Sequence, residues 1–133
     1  MPHIVFDINL APADEAKARF GKAIARRFGE VMDTGTEHVA VLIRSHGPAD
    51  LHLGLAHEPS RGVAMVSADL RMGRTKEQER RLCLGFIEEL GTCFGIPPSQ
   101  VYVVITRHDG PEFQLHDRVL PSWSPGEDPL AKR

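Results

Sequence analysis

The first residues that could do chemistry stand at the very start of the chain, where proline follows the initiator methionine. Initiator methionine is usually trimmed when the next side chain is small, so the mature chain is expected to begin at Pro2 with a free secondary amine. An α-amino group titrates near about 7.7 to 8.0, and burial lowers this pKa because it disfavours the charged form. A neutral amine can accept a proton, which makes Pro2 a candidate general base. The alternative is that Pro2 merely begins a strand, one of the few strand positions that tolerate proline.

The second stretch whose residues could do chemistry contains Arg71 and Arg74, which stand just before a predicted helix. Cations at a helix N-terminus oppose the helix dipole, so this placement is unfavourable unless an anion binds there. Arginine forks and the free amides of a first helical turn together suit a carboxylate or a phosphate. We therefore interpret Arg71 and Arg74 as ligands of an anionic substrate. A solvated basic loop is the alternative.

The elements that must position these residues follow from the hydrophobic pattern, which predicts two β-α-β units in tandem. The predicted strands are 3–9, 38–43, 63–70 and 101–105, the predicted helices are 12–31 and 75–94, and 51–55 is a possible hairpin or minor strand. Thr75 and Gln78 form a capping box, and Gly95 is placed to end the second helix. The predicted fold is α/β (α+β), with a four-stranded sheet and both helices on one face. The open face needs cover, which self-association would provide.

Length and charge limit the functional classes. The chain has 133 residues, which fit one domain, and its net charge of −2 gives no indication of bulk affinity for nucleic acid or an anionic membrane. No apolar run approaches the roughly 20 residues needed to span a bilayer, so we predict a soluble cytoplasmic protein. The spacing of His46, His52 and His57 scatters them over both faces of a strand, so we predict no metal and no cofactor.

Five short motifs carry a resemblance to a known family. They are Arg71-Met72-Gly73-Arg74, Thr34-Gly35-Thr36-Glu37-His38, Leu120-Pro121, Met1-Pro2-His3 and Ile43-Arg44-Ser45. The first three resemble cis-3-chloroacrylic acid dehalogenase, and the last two resemble 5-carboxymethyl-2-hydroxymuconate isomerase. Both belong to the tautomerase superfamily, which also includes 4-oxalocrotonate tautomerase and macrophage migration inhibitory factor. The resemblance runs to about residue 121, which predicts a tautomerase-like domain at 1–121 and a C-terminal tail at 122–133.

The resemblance implies an amino-terminal catalytic proline, doubled β-α-β units and a homotrimer. We accordingly predict an isomerase that shifts protons in a small unsaturated 2-hydroxy or 2-keto acid. Pro2 would act as general base and then as acid, while Arg71 and Arg74 hold the carboxylate.

Departures from the dehalogenase pattern weigh against hydrolytic dehalogenation. Glu30, Val104 and Leu115 stand where that pattern has histidine, tyrosine and glutamate. Activation of water needs a base and an orienting hydroxyl, and Glu112 could be that base only if its loop shifts by three positions.

Other readings stay open. One is a hydratase or dehalogenase of a 3-haloacrylate-like acid that uses Glu112, another is a non-catalytic ligand-binding protein of the tautomerase fold, and a third is a ferredoxin-like regulatory domain.

We interpret His38 as a hydrogen-bonding structural residue, with a catalytic role as the alternative. Arg44 is either a second carboxylate ligand or a surface charge. Trp123, in a tail read as an arm over a neighbour, is expected to pack against that neighbour.

Overall fold

The structure is a computed structural model that describes residues 2–130. Its strands and helices are β1 (His3–Ile8), α1 (Asp14–Met32), β2 (Ala40–Ser45), β3 (Ala64–Arg71), α2 (Lys76–Phe94) and β4 (Val101–His108). The four strands form one sheet in the order β2-β1-β3-β4. β1 pairs with β2 in parallel, β3 pairs with β4 in parallel, and the two units meet through the antiparallel pair of β1 and β3. The predicted fold class is confirmed.

Local signals fix the ends of the helices. The Thr75 side chain accepts a hydrogen bond from the Gln78 backbone N–H, and the Gln78 side chain accepts one from the Thr75 N–H, which is the predicted capping box. Gly95 ends α2 in the left-handed conformation, with φ of 70°. The first helix begins at Asp14, two residues later than predicted, because the backbone of Ala13 is still extended.

Both helices pack on the same face of the sheet. At the centre, the Phe6 ring of β1 meets Phe20 of α1 edge-on at 4.8 Å and Phe86 of α2 edge-on at 5.4 Å between centroids. Alternate residues of β1 point into this core, as a half-buried strand requires. The opposite face of the sheet stays open in the single chain and carries Leu42, Tyr102 and Val104, which are 44%, 55% and 47% exposed.

The loop between β2 and β3 contradicts one prediction. Residues 51–55 form no strand, so the expected hairpin or minor strand is wrong. Side chains hold the end of this loop: the Asn9 amide N–H donates to the Pro59 carbonyl at 3.0 Å, and its oxygen accepts from the Val63 N–H at 2.7 Å. Within residues 2–130, the structure has no helix long and apolar enough to cross a membrane.

The register of the sheet brings one set of strand ends together. His3 pairs with Ala40 and with Asp69, and Arg71 pairs with His108. The starts of β1 and β2 therefore lie at the same edge of the sheet as the ends of β3 and β4. Residues that precede the first two strands or follow the last two must meet at this edge.

Candidate active site

Pro2 lies at this edge, immediately before β1, and it is buried. Its carbonyl accepts a hydrogen bond from the Ala40 N–H at 3.1 Å, which continues the pairing of β1 with β2 by one residue. Pro2, the first described residue, thus leads directly into a strand at the centre of the sheet. The predicted removal of Met1 falls outside the described residues.

Arg71, the last residue of β3, is fully buried and already holds a carboxylate of its own chain. Both terminal nitrogens of its guanidinium donate to the Glu127 carboxylate, which is 7% exposed, and Nη1 also donates to the Pro121 carbonyl at 2.6 Å. Nε of Arg71 is buried and has no hydrogen-bond partner within residues 2–130. The arginine predicted to bind substrate therefore has one free donor.

Arg74 lies one turn further on and keeps most of its donors free. Its Nη1 donates to the Arg71 carbonyl at 2.8 Å, whereas Nε and Nη2 are buried without a partner in the described part of the chain. The guanidinium lies over the rings of Phe28 and Trp123, at 5.4 Å and 5.8 Å from their centroids. Burial, together with the charge of Arg71, lowers the pKa of Arg74 to about 10, so it remains a cation at neutral pH.

His38 occupies the turn between α1 and β2, where it is 3% exposed. Among residues 2–130, neither ring nitrogen finds a hydrogen-bond partner, so the predicted hydrogen-bonding structural role is wrong. Its ring meets Phe28 edge-on at 6.4 Å between centroids. Burial, reinforced by the nearby charges of Arg71 and Arg74, lowers the pKa of His38 to about 3. His38 is therefore a neutral imidazole at neutral pH.

The C-terminal tail covers this group of residues. Trp123 donates from its backbone N–H to the Met72 carbonyl and from its indole N–H to the Met32 carbonyl, both at 2.9 Å. Gly73, with φ of 113°, leaves space for the Trp123 carbonyl, which would lie 2.5 Å from any added Cβ. Trp123 was expected to pack on a neighbour, but its indole packs on its own domain.

A cavity of about 360 Å³ lies between the tail and the turn that carries His38. Its lining residues are Gly35, Thr36, Glu37, His38, Asp128, Pro129 and Leu130. Buried polar groups in proteins are nearly always hydrogen-bonded, and each one left unpaired costs about 1 to 3 kcal/mol. His38 lines this cavity, and together with Arg71 and Arg74, which are not among its lining residues, it holds five such nitrogens. Those on the two arginines are cationic donors, which suit a small anion.

Glu112 lies elsewhere, in a cluster on the open side of the same sheet edge. His108 contacts Glu112 through Nδ1 at 2.9 Å and Asp69 through Nε2 at 2.7 Å, and these carboxylates, Asp69 first, raise the pKa of His108. This cluster lines a separate cavity of about 520 Å³ that includes His3 and Phe113 but not His38. Within the described residues, no group of three or more potential ligands could hold a metal ion.

Arg44 has an internal partner. Its guanidinium donates to both oxygens of Asp7, at 2.7 Å and 3.0 Å, and this contact is the main cause of the lowered pKa of Asp7. Asp7 faces the open side of β1, away from the core. Arg44 is therefore a paired surface charge in the single chain.

Sequence reasoning missed two residues of the site. Glu127 lies in a proline-rich tail without periodicity, and no local pattern links it to Arg71. Phe28 belongs to the apolar stripe of α1, so the pattern assigned it to the core, although its ring contacts both His38 and Arg74. The isolated tryptophan at position 123 was the one available signal that the tail packs on something.

Comparison with known proteins gives structural matches alone. No protein-family model matches the sequence, and no curated protein matches it. A fused 4-OT that forms an asymmetric trimer matches with a TM-score of 0.75 and 20% identity over 88% of this chain and 94% of that one. Macrophage migration inhibitory factor of Toxoplasma gondii matches with a TM-score of 0.76 and 13% identity over 89% and 99%. FG41 malonate semialdehyde decarboxylase, inhibited by 3-bromopropiolate, matches with a TM-score of 0.72 and 20% identity over 84% and 87%.

At these identities the matches establish the architecture. They agree with the two β-α-β units and the mixed sheet. The chain has the fold of the tautomerase superfamily, as its sequence motifs predicted.

Proposed function

We propose that the protein is a tautomerase that shifts a proton in a small unsaturated 2-hydroxy or 2-keto acid. The observation that carries the proposal is the set of unpartnered nitrogens on His38, Arg71 and Arg74, buried at the sheet edge where Pro2 begins β1. The free donors suit the carboxylate of the substrate, and the proline amine suits the proton transfer. No cofactor is needed for this reaction.

The surroundings of Pro2 favour a neutral amine. If Met1 is removed, the amine belongs to a buried residue, and burial lowers the pKa of an amine below its usual value of about 7.7 to 8.0. His38 adds no charge because it is neutral.

The proposed reaction uses the amine twice. The neutral amine of Pro2 takes the proton of the enol hydroxyl while the carbonyl group forms. The resulting ammonium then returns a proton to the carbon end of the former double bond, which restores the neutral amine. Arg74, with Nε of Arg71, would hold the carboxylate and stabilise the negative charge that develops on the enolate.

We also propose that the working unit is a homotrimer. The open sheet face carries exposed Leu42, Tyr102 and Val104, and the matching fused 4-OT structures are trimers. Burying these side chains between copies would remove apolar surface from water. The same proposal takes residues 1–121 as the domain and the remainder as a tail.

The decisive experiment compares three forms of the N-terminus. Intact mass spectrometry first establishes whether the native chain begins at Pro2. Ketonisation of an enol-pyruvate is then followed for the native protein, for a form with a cleavable extension before Pro2, and for that form after cleavage that leaves Pro2 first. The extension turns the amine into an amide, so we expect activity to fall by about 10² to 10⁴-fold and to return after cleavage.

Retention of Met1 on nearly all native chains would end the proline-base proposal. The non-catalytic ligand-binding protein would then be the better account, because the buried donors would remain without a base. A regulatory domain with the ferredoxin-like order of strands and helices would need neither a proline base nor buried donors for an anion. Glu112 as an activator of water is not part of our proposal, since it is bound to His108 in a different cavity.

A further inference from the structure

Glu127 brings a buried negative charge into direct contact with Arg71, whereas the other carboxylates that line the adjoining cavity, those of Glu37 and Asp128, belong to exposed residues. Its side chain is 7% exposed, and its two oxygens accept from the two terminal nitrogens of Arg71. Thr34 also donates its hydroxyl to Glu127 at 3.4 Å, which ties the carboxylate to the turn that precedes His38. The tail therefore places this carboxylate where a bound acid would otherwise meet Arg71.

The pairing decides how much positive charge is left for a ligand. Arg71 and Arg74 supply two cations, Glu127 neutralises one of them, and His38 is uncharged. The free donors are correspondingly divided: Arg74 keeps Nε and Nη2, which together can grip one carboxylate in bidentate fashion, whereas Arg71 keeps only Nε. Among these buried side chains, Arg74 is thus the one cation left for the carboxylate of a ligand.

We propose that Glu127 is a specificity-determining residue that restricts this site to monocarboxylates. A second carboxylate would need the terminal nitrogens of Arg71, which Glu127 occupies, and it would also meet the like charge of Glu127 in a poorly solvated space. The inference rests on the proposed function in one respect, since it takes the bound anion to be the substrate. The preference for a monocarboxylate over a diacid is a property of binding and does not depend on turnover. A member of the same fold without this carboxylate would be free to hold a diacid between the two arginines.

The test measures binding and needs no turnover. Dissociation constants of acetate, malonate and succinate are determined at about pH 7.5 and matched ionic strength, by NMR titration and by thermal shift. Wild-type protein is compared with Glu127→Gln, which keeps the shape of the side chain and removes its charge. Glu89→Gln is the matched control, because Glu89 is a half-buried carboxylate paired with an arginine, Arg27 at 3.0 Å, between the two helices and away from the site.

We expect wild type and Glu89→Gln to bind acetate at least as tightly as either diacid. In Glu127→Gln, the freed fork of Arg71 should tighten binding of at least one diacid by about tenfold to a hundredfold, the usual range for an added charge-assisted pair, with acetate changed much less. A diacid should also raise the melting temperature of Glu127→Gln more than that of wild type, since it would replace the lost carboxylate.

Two results would overturn the inference. One is wild-type protein that binds malonate or succinate more than tenfold tighter than acetate, and this result can be obtained even if Glu127→Gln fails to fold. The other is a folded Glu127→Gln with the acid preference of wild type. Failure of the proposed function gives a different pattern, in which the enol-pyruvate is not turned over although acid binding follows the expected preference.

Discussion

At the scale of single residues, the two arginines that look alike in the sequence have different surroundings. Arg71 is held by Glu127, whereas Arg74 rests on Phe28 and Trp123 with two donors free. The sequence predicted one shared role for them, as ligands of an anionic substrate. In the structure, the guanidinium of Arg71 is largely paired within the chain, whereas that of Arg74 has donors free for a ligand.

This difference predicts opposite effects of mutation. Arg71→Ala leaves the buried Glu127 carboxylate unpaired, so we expect the free energy of unfolding to fall by about 3 to 5 kcal/mol. Arg74→Met keeps an apolar stem over the two rings and removes a poorly partnered cation, so stability should not fall by more than about 1 kcal/mol. Its kcat/KM for an enol-pyruvate should fall tenfold to a hundredfold, because a charge-assisted pair to the substrate is worth about 1.5 to 3 kcal/mol. Urea unfolding and steady-state kinetics measure the two effects, and equal losses of stability in both variants would contradict the distinction.

His38 makes a prediction about pH. The pKa of His38 falls from its ordinary 6.5 to about 3 on folding, so between these values the unfolded chain binds a proton that the folded chain does not. Stability attributable to His38 is therefore present above the unfolded pKa and is lost as the pH falls, by about 2 kcal/mol at pH 5. The free energy of unfolding is measured for wild type and His38→Leu at pH 7.5 and pH 5. Its decrease between the two pH values should be larger in wild type, and the difference is the part due to His38. Parallel curves would mean that the folded chain accommodates a protonated His38.

At the scale of elements, the sequence was most informative where the signal is local. The apolar stripes of α1 and α2 and the capping box at Thr75 predicted both helices to within two residues. The loop at 51–55 was misread because a short apolar run does not tell whether a neighbouring strand is available to pair with it. The end of the β2–β3 connection is held instead by Asn9, which binds the backbone of Pro59 and Val63. Contacts made by a side chain 50 residues away leave no local pattern.

Gly73 lies in the turn between β3 and α2, where the tail packs against it. A substitution at Gly73 should therefore disturb the contact between this turn and the tail. The φ of 113° at Gly73 disfavours any other residue, and an added Cβ would lie 2.5 Å from the Trp123 carbonyl. We expect Gly73→Ala to destabilise the protein by more than 1 kcal/mol, roughly the cost of the backbone strain alone, and to shift the fluorescence of Trp123, the sole tryptophan.

Gly21 offers the control for this substitution. It lies in α1 with nothing within 4 Å of an added Cβ, so Gly21→Ala should stabilise the helix by about 0.5 to 1 kcal/mol and leave the fluorescence unchanged. Unchanged emission in Gly73→Ala would show that the tail does not depend on this junction.

At the scale of the whole molecule, the sequence predicted the sheet and the helices next to Arg71 and Arg74. It could not predict that the tail closes over them, because the Arg71 and Glu127 contact spans 56 positions and neither residue belongs to a repeating pattern. Burial decides the chemistry of His38 in the same way: a histidine after a Thr-Gly-Thr turn was interpreted as a hydrogen-bonding structural residue, and its unpaired burial depends on packing against Phe28 that no local pattern shows.

The final prediction concerns assembly. Leu42, Tyr102 and Val104 form an exposed apolar surface on the open side of the sheet, and a trimer that covers it would place Val104 in a largely water-free interface. Introducing a carboxylate there without a partner costs several kcal/mol per copy, so we expect Val104→Asp to dissociate while each chain stays folded. Light scattering should give about three times the 14.7 kDa chain mass for wild type and one chain mass for the variant. Leu55→Asp is the control, because Leu55 is 62% exposed in a loop outside the sheet and its substitution should leave the assembly intact. A wild-type mass of one chain at all micromolar concentrations would contradict the trimer and leave the open face in need of a different partner.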